Sequence, residues 1–194
     1  MDPVSYDSFR YVACNRWDPT HLEKVDRLLA LAPGDKVLEI GSSGGHLLRR
    51  LLDRGVDAVG VDANPKAASD RILHMRGDQL DFLDGSFDSV ISVHTIEHIP
   101  AMTRALSEIV RVLRPWGRAL LIYPAEPIRG LYAIPTALLL YGNPLKARQI
   151  HCHKVTPTRL RRVMEPLGME EIHVEFNLMR SPQFVSVFRK TPSW

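Results

Sequence analysis

Three groups of residues have types and spacings that can do chemistry. The first is a glycine-rich run, Glu39, Gly41, Ser43, Gly44 and Gly45, where missing side chains let a ligand approach the backbone. A nucleotide-type ligand is the first expectation. A dinucleotide fingerprint of the G-x-G-x-x-G kind needs glycine at 41, 43 and 46, yet those last two positions hold Ser43 and His46, so NAD and FAD are disfavoured. The second group is the carboxylate of Asp62, about twenty residues further on, which can accept both hydroxyls of a ribose or else cap the following turn. The third is a set of imidazoles: His94, His98 beside Glu97, and the pair His151 and His153 around Cys152. Imidazole titrates near working pH and can take or position a proton. Two histidines two apart and one cysteine make no complete ligand set, and Cys14 has no partner motif, so no metal is expected. Arg159, Arg161 and Arg162 read as the solvated face of a helix.

Strand-like and helix-like segments alternate almost throughout and place these residues. Residues 36–40 form a short apolar strand that ends at the glycine run. A helix follows with Leu47, Leu48, Leu51 and Leu52 on one stripe, closed by Gly55. Residues 58–61 make a second strand ending on Asp62, residues 71–75 a third, and residues 87–93 a fourth ending at His94. Ala105, Leu106, Ile109, Val110 and Leu113 line one face of a helix over 100–113. Residues 118–123 read as strand five, ending on Tyr123. Thr156 and Pro157 cap a last helix that stops at Gly168, and two strands over 169–176 and 183–190 close as an antiparallel hairpin. A further helix is predicted over 20–31 behind a polar leader. Strands separated by helices imply right-handed crossovers, a mainly parallel sheet and a ligand beyond the strands' carboxyl ends.

Bulk properties narrow the class. A chain of 194 residues with 45% hydrophobic and 24% charged residues suits one globular domain over 1–194. A net charge of +3 favours anionic partners only weakly, and no nucleic-acid footprint is read from it. Two cysteines are too few for a disulfide framework, and residues 1–10 lack a signal's basic start and apolar run, so a cytoplasmic location is expected. The uncharged stretch 131–145 is shorter than the roughly 20 residues of a spanning helix and contains Pro135, Gly142 and Pro144. No stable membrane insertion is expected.

The glycine run resembles motif I of class I S-adenosylmethionine-dependent methyltransferases, with Glu39, Gly41 and Gly45 in place and Ser43 at the middle glycine. Residues 82–90, 91–100 and 110–118 resemble the lead-in to strand four, the loop after it and the helix end in the branch that includes ubiquinone and menaquinone biosynthesis methyltransferases. The resemblance implies an α/β, Rossmann-like fold with a seven-stranded, mainly parallel sheet, a C-terminal antiparallel hairpin and helices on both faces. It implies S-adenosyl-L-methionine as cofactor, held by Glu39, Gly41, Ser43, Gly45, Asp62, Ala63, Asp78, Gln79 and His94. Asp78 is then the acceptor for the adenine amino group. His94 would lie beside the reacting methyl with His98 on the next turn, and Tyr123, His151 and His153 would face the acceptor.

The expected reaction is methyl transfer to a small molecule. Residues 125–150, rich in Leu, Ile and Tyr, occupy the family's substrate-covering position and suggest an apolar or aromatic acceptor. The same apolar residues suit burial against the core, a homodimer contact or a peripheral membrane surface. A nucleic-acid methyltransferase is the alternative among enzymes, but residues 94–98 lack the Asn/Asp-Pro-Pro-aromatic signature, and Cys152 lacks a nucleophile's context. A non-catalytic cofactor-sensing or partner-binding module is the alternative from another class, prompted by Ser43 and the short region 63–76.

Overall fold

The computed structural model of the chain describes residues 26, 27, 29–178 and 181–192. Most of the helix expected over 20–31 and the polar leader lie outside the described residues. Asp26, Arg27 and Leu29 are helical and lead to the turn at Pro33 and Gly34.

Five strands run parallel: β1 (Lys36–Ile40), β2 (Asp57–Asp62), β3 (Ile72–His74), β4 (Phe87–Val93) and β5 (Leu113–Pro124). Between β1 and β2 lies helix α1 (His46–Leu52), and between β4 and β5 lies α2 (Met102–Val112). The segment after β5 carries α3 (Ile134–Tyr141) and the single turn α4 (Ala147–Ile150). Helix α5 (Pro157–Met164) precedes the hairpin of β6 (Met169–Leu178) and β7 (Pro182–Lys190). The sheet order is β3-β2-β1-β4-β5-β7-β6, with β7 inserted antiparallel between β5 and β6. The chain reverses its direction of winding between β1 and β4. That reversal opens a crevice beyond the carboxyl ends of these two strands.

Alternating side chains on the central strands feed two cores. Leu38, Ile40, Ala119, Leu121 and Tyr123 pack with Leu106 and Ile109 of α2 and with Leu160 and Met164 of α5. Val37, Leu120, Ile122, Val185 and Val187 pack on the other face with Leu47, Leu48 and Leu51 of α1. Helices therefore cover both faces, as a parallel sheet requires. Thr156 caps α5 by accepting from the Arg159 N–H, as its place before Pro157 predicts.

The register of the centre is fixed by one buried acid. Asp88 on β4 accepts from the backbone N–H groups of Asp35 and Lys36, each at 2.8 Å, and pairs with Arg114. These bonds tie the start of β1 to β4. Arg111 performs a similar task for the loop before β4. It donates to the carbonyls of Leu80 and Phe82 and to the carboxylates of Glu108 and Asp84.

Most boundaries shift by one or two residues, and one differs by more. The helix over 100–113 ends at Val112, and β5 starts at Leu113 instead of Arg118. A kink at Trp116, whose φ is 67°, shifts the register against β4 and lets the strand begin early.

Candidate active site

The glycine run bends by repeated left-handed backbone. Gly41, Ser43 and Gly45 have φ of 84°, 45° and 69°, so every second residue from 41 to 45 sits where a side chain is strained. A Cβ on Gly41 would stand 2.1 Å from Thr95 Oγ1, because the loop after β4 packs directly on it. Ser43 keeps its left-handed conformation while its backbone N–H donates to Asp62 Oδ2 at 2.7 Å. Asp62 Oδ1 accepts from the Asn64 N–H at 2.8 Å, so both carboxylate oxygens are oriented by backbone, with Ala63 between them.

Glu39 lies beneath this turn. It is 3% exposed, and its Oε2 has no hydrogen-bond partner among the described residues. Burial pushes its carboxyl up to about 7, with the Ser42 hydroxyl working against the rise and the Asp62 charge adding to it. A buried carboxylate of this kind suits a cationic ligand group. The buried acid at Glu39 therefore fits the amino-acid part of S-adenosylmethionine, whose ammonium it can receive, while the bare backbone of Gly41 makes room for Thr95.

Asp78 is buried and is gripped by Arg76 through two bonds of 2.9 Å. That grip holds its carboxyl below the ordinary range despite burial. Gln79 is exposed and its N–H donates to the Arg76 carbonyl. An adenine amino group at Asp78 must therefore use the lone pairs that Arg76 leaves.

Beyond β4 the chain gathers histidines around one acid. His94 is left-handed at φ 48°, its N–H donates to the Ile122 carbonyl, and its Nε2 donates to Gln183 Oε1 at 2.8 Å. Its Nδ1 lies 3.5 Å from Oε1 of Glu97, which is 1% exposed. His98 donates from Nδ1 to the Ile150 carbonyl at 2.8 Å and presents Nε2 3.9 Å from the same Oε1. His151 packs edge-on against His98 with ring centres 4.9 Å apart, and its Nδ1 donates to Glu126 Oε1 at 2.8 Å. Burial alone would raise the Glu97 carboxyl. The hydrogen-bonding contact from His94 and the charges of His98 and His151 outweigh it, so the group stays below its ordinary range. Burial pushes His98 down, against the pull of Glu97.

Two of the expected acceptor residues sit elsewhere. Tyr123 is fully buried, in the core beside Phe184, with its hydroxyl paired to Ser186 Oγ at 2.9 Å. Its position in the alternation along β5 turns it toward α2 and α5, so it is a packing residue in this structure and not part of an acceptor wall. His153 donates from Nε2 to the Pro100 carbonyl, receives Arg159 at Nδ1 and ties its backbone N–H to Glu97 O. These bonds pin the segment, and both ring nitrogens are engaged. Glu126 and Gln183 entered no sequence expectation. Glu126 is the sole acid in 125–150, which was a readable signal, whereas nothing marks Gln183 before the sheet order is known.

The apolar segment also folds otherwise than its leucines suggest. Leu131, Leu138, Leu139 and Leu145 are exposed, and the segment closes on a small core of Ala133, Ala137, Ala147 and Ile150. Among the described residues no helix is long and apolar enough to cross a membrane.

A sheet of this order with a left-handed glycine turn after β1, an acid ending β2 and a buried carboxylate with one unpaired oxygen beneath the turn defines a Rossmann-like transferase that uses S-adenosylmethionine. Residues 6–174 match the family described as a methyltransferase domain, and the chain belongs to it. It is a S-adenosylmethionine-dependent methyltransferase. It is 24% identical to a ubiquinone biosynthesis O-methyltransferase of Dechloromonas aromatica, covering 87% of this chain and 84% of that one. It is 31% identical to a demethylmenaquinone methyltransferase of Beutenbergia cavernae over 60% of this chain and 56% of the relative. The fold is similar to that of the Burkholderia thailandensis 1,6-didemethyltoxoflavin-N1-methyltransferase, solved with bound 1,6-didemethyltoxoflavin and S-adenosylhomocysteine. The TM-score is 0.69 at 19% identity, covering 97% of this chain and 84% of the other.

Proposed function

We propose that the enzyme methylates a small molecule with an apolar or aromatic body and a protic nucleophile. The observation that carries this reading is the pairing of a histidine floor (His94, His98 and His151 around Glu97) with the separately packed apolar segment 125–150. When bound, S-adenosylmethionine supplies a methyl already activated on sulfonium, so the protein's task is alignment and exclusion of water. Glu39 holds the cofactor's ammonium, and the backbone at Gly41, Ser43 and Gly45 admits its amino-acid part. Asp62 and Ala63 hold the ribose, while Asp78 and Gln79 border the adenine.

His94 has a defined role in this reading. Its Nε2 proton is committed to Gln183, so Nδ1 is the basic nitrogen, and Glu97 stabilises the imidazolium that forms when an acceptor proton arrives there. The two relatives, a ubiquinone biosynthesis O-methyltransferase and a demethylmenaquinone methyltransferase, support an aromatic acceptor of modest size.

Labelled methyl transfer from S-adenosylmethionine to a panel of phenols, hydroquinones, aromatic amines, DNA and transfer RNA tests the proposal. Label in the small aromatic compounds is the expected result. Label confined to nucleic acid would overturn it.

A further inference from the structure

We propose that Glu97, His98 and His151 form a binding site for one divalent metal ion of borderline character, such as zinc. One ligand atom from each residue lies within 4.8 Å of the others, although His151 is more than 50 residues from His98 in sequence. Ligands about 2.1 Å from an ion stand roughly 3 to 4 Å apart, so small side-chain rotations close the set. Two imidazoles and one carboxylate select zinc-type ions over magnesium or calcium, which prefer all-oxygen ligands.

Three observations point to an ion here. Glu97 is 1% exposed, and among the described residues its carboxylate meets only imidazoles on Oε1, His94 Nδ1 at 3.5 Å and His98 Nε2 at 3.9 Å, both beyond good hydrogen-bond geometry, while Oε2 has no partner. A buried carboxylate left so is costly unless a cation compensates it. Both imidazoles are anchored through Nδ1, His98 on the Ile150 carbonyl and His151 on the Glu126 carboxylate, which makes Nε2 the basic nitrogen of each ring. Carboxylate–histidine pairs of the second kind orient ligands around bound metals. Glu126 is itself fixed by the backbone N–H groups of Gly130 and Tyr132 at 2.9 and 2.8 Å, so the orienting group cannot swing.

Three protein ligands leave coordination positions open to a small molecule. The site lies beyond β4, next to the crevice, and the apolar segment and the residue that follows it supply Glu126 and His151. On the methyl-transfer reading above, an acceptor oxygen bound to the ion becomes more acidic and is held in place. Ion binding itself does not depend on that reading.

The test uses the untagged full-length protein, dialysed against a chelator and titrated calorimetrically with zinc, manganese and magnesium chloride in turn. Cobalt(II) provides an optical reporter of nitrogen ligation. The expected result is one zinc per chain, with magnesium binding far more weakly. His98→Gln and His151→Gln should each weaken zinc at least 100-fold, and Glu126→Gln about 10- to 100-fold. S-adenosylhomocysteine binding serves as the control for intact folding in each variant. Absence of saturable 1:1 binding by wild type, or zinc affinity unchanged in folded His151→Gln, would overturn the site. Failure to methylate any acceptor while zinc still binds would refute the acceptor reading and leave the metal site standing.

Discussion

The backbone N–H of Ser43 donates to Asp62 Oδ2 at 2.7 Å, joining the turn after β1 to the acid that ends β2. Two parts of the cofactor site that lie 19 residues apart are thereby one unit. An Asp62→Ala change removes the ribose acceptor and also the acceptor for Ser43 and Asn64. Affinity for S-adenosylhomocysteine, measured by calorimetry, should fall about 10- to 100-fold, the scale of a lost charged hydrogen bond or two. Unchanged affinity would remove Asp62 from the ribose site.

Ser43 holds a left-handed φ of 45° at the position where the family motif has glycine. A left-handed L-residue costs about 1–2 kcal/mol, of which glycine's greater freedom in the unfolded chain takes back part. Ser43→Gly should therefore raise the denaturation midpoint slightly with cofactor affinity retained. A loss of stability would show that the serine hydroxyl contributes more than its backbone strain costs.

Glu39, pushed up to about 7 by burial, gives a pH dependence with a definite sign. The folded form holds the proton more tightly than the unfolded form, so this group's contribution to stability falls as pH rises from about 4.5 to about 7. Cofactor binding runs the opposite way, because an ammonium needs the ionised carboxylate. Affinity for S-adenosylhomocysteine should rise by up to about tenfold per pH unit below 7 and level off above it. In Glu39→Gln the profile should be flat through this window and the affinity low. A wild-type profile that is also flat between pH 5.5 and 7.5 would show that the ammonium is held by another group.

Tyr123 offers a check on the division between core and site. Its hydroxyl bonds to Ser186 in a buried position, so Tyr123→Phe strands the serine hydroxyl and should cost about 1 kcal/mol in denaturant unfolding. Methyl transfer should proceed at the wild-type rate at temperatures where both proteins are folded. A large fall in turnover with stability intact would return the tyrosine to the acceptor wall.

Most of the sheet was readable because its strands are short apolar runs bounded by glycine, proline or a charged residue. Strand β4 matches its expected limits, and α5 begins at the cap that Thr156 and Pro157 announce. The start of β5 was hidden because Arg114, Pro115 and Trp116 look like a turn, and only pairing with β4 shows the strand continuing through a kink. The glycine turn and Asp62 were legible through local spacing. The family resemblance turned His94, His98 and His151 toward one pocket, but their gathering around Glu97 and Glu126 was not legible, since no periodicity encodes that proximity. Tyr123 was misjudged for a related reason. Its place at a strand's carboxyl end is a matter of sequence, but which face it serves is settled by the packing of α2 and α5.

The segment over residues 125–150, between β5 and α5, closes on its own small core of Ala133, Ala137, Ala147 and Ile150, distinct from the two cores that hold the sheet. It meets the floor of the site through a few bonds, chiefly His98 to the Ile150 carbonyl and, just past it, His153 to the Glu97 carbonyl. Such a piece can diverge, or be exchanged between lineages as a cassette, at little cost to the half of the molecule that reads the cofactor. On the proposed function, natural selection can then change the compound being methylated while leaving the methyl donor's seat untouched.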